Sequence, residues 1–400
     1  MKTASACLLL GATLVYGASI PRRDVLPVLG PDTVPGFKVL PKPLHSSLFD
    51  KEGKLQAVLS NPAGVALPVS SVPSIQVEPP KEFKDGIAKR KKIRYGPFRL
   101  PGTKETNWQS KAMGMGGMAD EYLPNLTKPC TECMLASINA DIEYANGTKT
   151  GSSAWLHHSV LVVAGPNVRD PICNASNTES IFSSGNERST VRYSYQDDKI
   201  KAAYRLGPQD TITLVGEFKN ELDTEQWIWL TVSYEYYDGP RPDWKNTHIA
   251  WLGFGKSSCN PNAPNPFGVS NVTATGVPKS LQFEEATMPW KSPVDATVLG
   301  VGGHLHDGGT EIDIYQNTKK VCEVIPTYGA GAGGMSHGDG EHIKSMTSCR
   351  LLTPLKAGDT FHLVAKYDLV KHPGGKTDSG ELDEVMGVGT ILFMTEPKVF

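Results

Sequence analysis

The chain is 400 residues long, and its 40 basic and 42 acidic side chains are interspersed, for a formal net charge of -2. Such a balance creates no large field of one sign, which argues against nucleic acid or an anionic membrane as a partner and leaves small molecules, peptides or glycans. Its 40 glycines and 30 prolines supply many turns and argue against a helical bundle.

The first residues, MKTASACLLLGATLVYGAS, combine an early lysine, an apolar run from Ala6 to Tyr16 and small residues at Gly17 and Ser19. This pattern predicts a secretory signal peptide over residues 1–19, and the run is too short to span a bilayer. Residues 20–94 are proline-rich, lack periodicity and end in the basic run AKRKKIR. They read as an extended leader, either a propeptide cut after Lys89-Arg90 or a solvated tail.

From Tyr95 onward the chain consists of short runs rich in Val, Ile, Thr, Tyr, Phe and Trp, separated by Gly, Pro, Asn and Asp. TITLVGEF, WIWLTVSYEYY, TEIDIYQN, TFHLVAKYDLV and VGTILFM are examples. In TEIDIYQN, Ile312 and Ile314 share one face of a strand while Glu311 and Asp313 share the other. The expected fold is all-β, two tandem antiparallel jelly-roll-like β-sandwich domains over residues 95–258 and 270–400. The Pro/Asn-rich stretch around 259–269 links them.

Four sequons lie in polar or Gly/Pro-containing stretches, at Asn125, Asn146, Asn174 and Asn271. They read as glycosylated surface loops of a secreted, extracellular protein. Removing Cys7 with the signal leaves an even set: Cys130, Cys133, Cys173, Cys259, Cys322 and Cys349. In an oxidising compartment these predict three disulfides, with Cys322 and Cys349 paired inside the second domain and the CxxC at Cys130 and Cys133 structural.

The chemistry-bearing segment is VLGVGGHLHDGGTEIDIY, where His304 and His306 stand one residue apart between two glycine pairs. At the start of what reads as a strand, i and i+2 point to one face, so two imidazoles form a two-pronged chelate. A pair of hydrogen-bonded histidines at a strand end is the plain alternative. A cupin, with Glu311 as the following acid, is another, although Val298 stands where its glycine belongs and no clean second motif follows. The glycine-rich TYGAGAGGMSHGDGEH reads as a surface loop in which His337 or His342 borders a substrate channel.

Together with WLHHSVLV, carrying His157 and His158, and ELDEVMGVGTILFM, carrying Met386, the order HH, HxH, Met over residues 110–400 resembles the copper type II, ascorbate-dependent monooxygenases. That is the family of the peptidylglycine alpha-hydroxylating and dopamine beta-monooxygenases. The chain also resembles the stress up-regulated Nod19 proteins. The first resemblance implies one copper per sandwich: a catalytic ion on His304, His306 and Met386, where oxygen meets a substrate C–H bond, and an electron-storing ion on His157 and His158. Ascorbate or another small reductant would feed the second ion, and the substrate would be a small molecule or peptide. Adjacent histidines on a regular strand face opposite ways, so a shared metal at His157 and His158 requires a bulge. The family's third ligand falls on Ser233, a poor copper ligand, so the resemblance implies two copper ions if both sites are intact and one if only the His-His-Met site is. His248 is a substitute for the missing ligand. A non-enzymatic binding protein that retains the two-sandwich frame and at most one metal site is the alternative function.

Overall fold

The computed structural model describes residues 66–106, 110, 114–173, 177–195, 200–257, 259–268, 270, 280–329 and 342–396. The expected signal peptide and leader up to residue 65, the sequons Asn174 and Asn271, and His337 lie outside the described residues.

All named elements among the described residues are strands. The first half contributes β1 (Ile75–Glu78), β2 (Lys89–Leu100), β3 (Met118–Leu123), β4 (Cys133–Glu143), β5 (Ala154–Ala164), β6 (Thr178–Gly185), β7 (Val191–Arg192), β8 (Ala202–Leu206), β9 (Thr211–Asn220), β10 (Gln226–Asp238) and β11 (Lys245–Lys256). The second half contributes β12 (Pro264–Asn265), β13 (Gln282–Ala286), β14 (Trp290–Lys291), β15 (Ala296–Leu305), β16 (Gly309–Gln316), β17 (Lys319–Val324), β18 (Pro326–Gly329), β19 (His342–Met346), β20 (Cys349–Leu355), β21 (Thr360–Asp368) and β22 (Gly387–Thr395).

One long sheet runs β1-β2-β10-β4-β8-β11-β22-β15-β20 through both halves of the molecule. Its first part shares a core with the sheet β3-β9-β5-β6, and its last part shares another with β13-β21-β16-β17. The result is an all-β fold of packed antiparallel sheets. Among the described residues, a short parallel pairing, Lys245↔Ala202 and Asn246↔Ala203, joins the two parts of the long sheet.

Three strands of the second part are buried on both faces, and period-two alternation sorts their side chains. Along β22, Val388, Leu392 and Met394 enter the first core, while Ile391 and Phe393 enter the second. On β11, Ile249 and Trp251 face the first core, and Ala250, Leu252 and Phe254 the second. Strands covered on both sides read as nearly continuous apolar runs, as THIAWLGF and VGTILFM do.

Two boundaries differ from the sequence expectation. The basic run is no tail: Lys89–Leu100 is an inner strand between β1 and β10, with Arg90 and Ile93 buried. Its apolar positions are interleaved with lysines and arginines whose charges are met by acids such as Glu143 and Glu78, so the alternation is masked by charge. Likewise β11, expected in the first sandwich, pairs along its length with β22 of the second. The Pro/Asn stretch supplies β12, which pairs back onto β11.

The cysteines pair as Cys130–Cys133, Cys173–Cys259 and Cys322–Cys349. Asn125 and Asn146 are exposed. No helix among the described residues is long and apolar enough to cross a membrane. The Cys322–Cys349 bridge joins β17 in one sheet of the second core to β20 in the other and closes a separation of 27 residues. Removing it as Cys322→Ala/Cys349→Ala should cost about 3 to 4 kcal/mol in guanidinium unfolding through loop-closure entropy. An unchanged unfolding midpoint would contradict its role as a staple.

Candidate metal centre

The site forms where β5 and β6 of the first unit face β15 and β22. On β5 the register to β9 slips between Leu156, opposite Phe218, and His158, opposite Glu217. His157 is therefore the extra residue of a bulge, the distortion required for adjacent histidines to point the same way. Their ring centroids lie 4.3 Å apart. Both Nδ1 atoms reach the same carboxylate oxygen, Glu217 Oε2, at 3.0 Å from His157 and 2.6 Å from His158.

His304 and His306 come at the end of β15 rather than at the start of a strand, because the glycines before them lie within the strand. His304 is registered opposite Val388, and the amide of His306 donates to the Met386 carbonyl at 3.1 Å. The two histidines and Met386 therefore belong to one face of the β15–β22 pair, with His304 and His306 centroids 5.3 Å apart. Gly308 then makes the turn into β16 with φ of +94°. Glu311, the acid a cupin would use, instead takes the Lys366 ammonium at 2.7 Å.

The two histidine pairs meet. His158 Nε2 and His306 Nε2 are 3.0 Å apart, and the His158 centroid lies 5.5 Å from that of His304. His157, His158 and His306 each bring a ring nitrogen within 4.8 Å of the others. The sequence expectation placed the two pairs in separate sites, one per sandwich; here β5 and β15, which belong to different units, bring the pairs into contact where those units join. Neither Ser233 nor His248 is part of the cluster. Ser233 lies on the face of β10 opposite to Val232 and Tyr234, which fill the core, and accepts from Arg90 Nη2 at 3.0 Å. His248 is bonded to Glu179, opposite Val163 on β5, five residues or about 17 Å along the strand from His158.

Each imidazole is oriented by an oxygen behind it. His306 Nδ1 donates to the Glu384 carbonyl at 2.7 Å, which fixes its tautomer because a carbonyl only accepts. His304 Nδ1 lies 3.3 Å from Glu187 Oε2. With Nδ1 engaged in His157, His158 and His306, the Nε2 atoms of those rings carry the lone pairs, and both ring nitrogens of His304 are buried without a hydrogen bond. This is the arrangement in which carboxylates and carbonyls aim histidine ligands at a metal.

The electrostatics agree. Burial pushes Glu217 upward, but the hydrogen bonds from His157 and His158 outweigh it and hold the carboxyl well below its usual range. Glu187 is likewise raised by burial and lowered more by His304, ending at about 2. His306 is driven well below the usual imidazole range by burial and then by His158, His304 and His157. His158 is lowered too, by burial and then by His157, whereas at His157 burial is outweighed by Glu217, which raises it. Two buried carboxylates held ionised beside the His158 and His306 rings, which are pushed toward the neutral form, make a pocket suited to a cation. Burial and then Glu217 raise Glu384 to about 8, so this acid keeps its proton and adds no third charge.

Two cavities meet at the cluster. One of about 720 Å³ is bordered by His158, His304, Val160, Trp251, Phe267 and Met386. The other, about 530 Å³, is bordered by His157, His306, Asp307, His342, Lys376 and Asp383. His304 and Glu187 line both. His342 borders the second with its Nδ1 on the Asp307 carboxylate and its ring centroid 4.5 Å from that of Trp155. A Cβ at Gly185 would stand 2.9 Å from both the His157 carbonyl oxygen and Glu187 Oε2 and 3.2 Å from His304 Cε1, so glycine is required there.

Glu217 and Glu187 are absent from the sequence expectation. Glu217 had a signal, a lone acid within the apolar TITLVGEF; Glu187, in GNERS, had none.

No family model matches the chain. Among curated proteins it is 28% identical over 305 residues to the probable copper-dependent oxygenase M1 of a Phoma species, covering 75% of this chain and 71% of that protein. It is 28% identical over 255 residues to the probable copper-dependent oxygenase clz3 of Cochliobolus lunatus, covering 63% and 76%. These names support a copper-oxygenase relationship. Solved structures with some likeness include a peptide-N4-(N-acetyl-β-D-glucosaminyl)asparagine amidase, at TM-score 0.35 and 12% identity over 78% of this chain and 98% of that one. The major capsid protein P2 of bacteriophage PM2 follows at 0.29 and 8%, covering 78% and 100%. Such scores carry no weight for fold or function.

Because one carboxylate orients two imidazoles, Glu217→Gln should weaken metal binding by about 10- to 100-fold in a chelator-competition titration, with the β-sheet signature in circular dichroism retained. Unchanged affinity would show that Glu217 does not orient the ligands.

Proposed function

We propose that this chain is a secreted copper-dependent oxygenase whose one copper centre is assembled from both sandwiches. The observation that carries this reading is the convergence of His157, His158, His304 and His306, three of them with Nδ1 hydrogen-bonded to an oxygen and Nε2 left to carry the lone pair. The names of the two relatives support copper, and so does the donor set. Imidazole serves both oxidation states of copper, whereas the Met386 thioether, cross-strand from His306, is soft and favours the reduced ion. Bound copper would supply the one-electron and oxygen chemistry that the side chains lack.

The chain's own residues do the rest. Glu217 and Glu187 keep the histidines pointed inward and offset the cation's charge. The His306 tautomer is fixed by the Glu384 carbonyl. Apolar side chains from β5, β11 and β22 keep water from the face of the cluster toward the larger cavity. The proposed reaction is hydroxylation of an organic substrate, which consumes oxygen, two electrons from a small reductant such as ascorbate, and two protons, and yields the alcohol and water. The cavity bordered by His157, Asp307 and His342 is assigned to the reductant, and the larger one, walled on one side by Val388, Trp251 and Phe267, to the substrate. Three disulfides fit an oxidising compartment, and the exposed Asn125 and Asn146 fit glycosylation there.

A shared centre differs measurably from the two separate ions that the ascorbate-dependent family implies. Either His158→Ala or His306→Ala alone should remove nearly all bound copper in metal analysis of the purified protein, together with reductant-dependent oxygen uptake. Retention of half the copper in each variant would mean two independent sites.

A further inference from the structure

The larger cavity has a direction. On β22 the side chains of Met386, Val388, Thr390 and Leu392 alternate onto one face, and all four border it. Their span of six residues is about 20 Å. The cross-strand partners on β15 run in step: His304 opposite Val388, Gly302 opposite Thr390, Gly300 opposite Leu392. The cavity is therefore a trough with the histidine cluster at one end and Gly300 at the other.

One flank of it is apolar along the length, with Met386, Val388, Leu392, Trp251 and Phe267, while Ser183, Thr190 and Ser348 bring polar groups to the other walls. The floor at Gly302 carries no side chain; a Cβ there would meet Thr390 Oγ1 at 3.3 Å and Ser348 Cβ at 3.5 Å. Trp251, midway along, donates its Nε1–H to the Ser180 carbonyl at 2.7 Å, so its ring presents only apolar surface. Phe267 packs against it at 5.2 Å between centroids. The far end is closed by Tyr195, whose hydroxyl lies 3.0 Å from where a Gly300 Cβ would stand, and by Arg350 over the Tyr195 ring. At the rim Arg188 and Arg192 have their own carboxylates, Asp141 and Glu82. A volume of about 720 Å³ falls in the range of organic-ligand sites.

We infer that this trough takes an elongated organic molecule lengthwise, its apolar chain against the flank of Val388, Leu392, Trp251 and Phe267, and that the end lying against His158 and His304 is the one hydroxylated. This rests on the copper-oxygenase proposal for the chemistry, though not for the binding. Hydroxylation breaks the C–H bond at that end and forms C–OH, with oxygen and external reductant consumed as above.

The test is binding of a graded series of straight-chain alcohols to the full-length protein, as purified and copper-loaded, by isothermal titration calorimetry. Affinity should rise about fourfold per added CH₂ and then level off once the chain fills the trough. Leu392→Trp, which fills the far end, should move the plateau to shorter chains without changing affinity for the shortest alcohols or the copper content. Gly302→Ala, a smaller change that keeps the fold, should weaken the long alcohols more than the short ones. A response independent of chain length, or a plateau unmoved in both variants, would overturn the inference. Chain-length dependence in a protein that takes up no copper would support the trough while refuting the metal centre; normal copper uptake with a flat series would do the opposite.

Discussion

Two imidazole nitrogens, His158 Nε2 and His306 Nε2, face each other at 3.0 Å across the junction of two sandwiches, each with its other nitrogen engaged by an oxygen. Two lone pairs so placed repel unless a proton or a metal lies between them. Nearby Glu217 and Glu187, buried and ionised, favour positive charge in the same space. Much of the local structure serves that encounter. The bulge at His157 turns two adjacent rings to one side, the glycine at 185 makes room for His304, and β22 divides its side chains between two cores so that the sandwiches cannot separate without exposing both.

The fold class was readable because strand signals are local. Alternation in TEIDIYQN and continuous apolar runs in THIAWLGF and VGTILFM need only period two, and the observed strands fall on them. Boundaries were harder. β2 hides its buried positions among lysines and arginines, and β11 is assigned to its neighbours by pairing partners 140 or so residues away, which no local pattern records. The Cys322–Cys349 pair was recoverable because few cysteines fell in the second half of the chain.

The histidines themselves stood out by motif, and the need for a bulge at His157 followed from strand geometry alone. Their joining into one cluster did not. That depends on how β5 packs against β15, a tertiary relation between segments 148 residues apart at His158 and His306. Glu187 was equally hidden, since an acid in a turn carries no mark of the histidine it will meet. Ser233, which stood at the expected third-ligand position, lies on the outer face of its sheet, where strand parity keeps it from the core.

With histidines from both units around one point, a cavity on each side can serve a different molecule, one lengthwise along β22 and the other beside Asp307 and His342. The most direct measurement of the central claim is X-ray absorption on the reduced, copper-loaded protein. The account predicts a single copper environment whose imidazoles come from both sandwiches, drawn from His157 and His158 of one and His304 and His306 of the other, and a sulfur scatterer that disappears in Met386→Ala. Two distinct copper environments, each with histidines from one sandwich only, would contradict it.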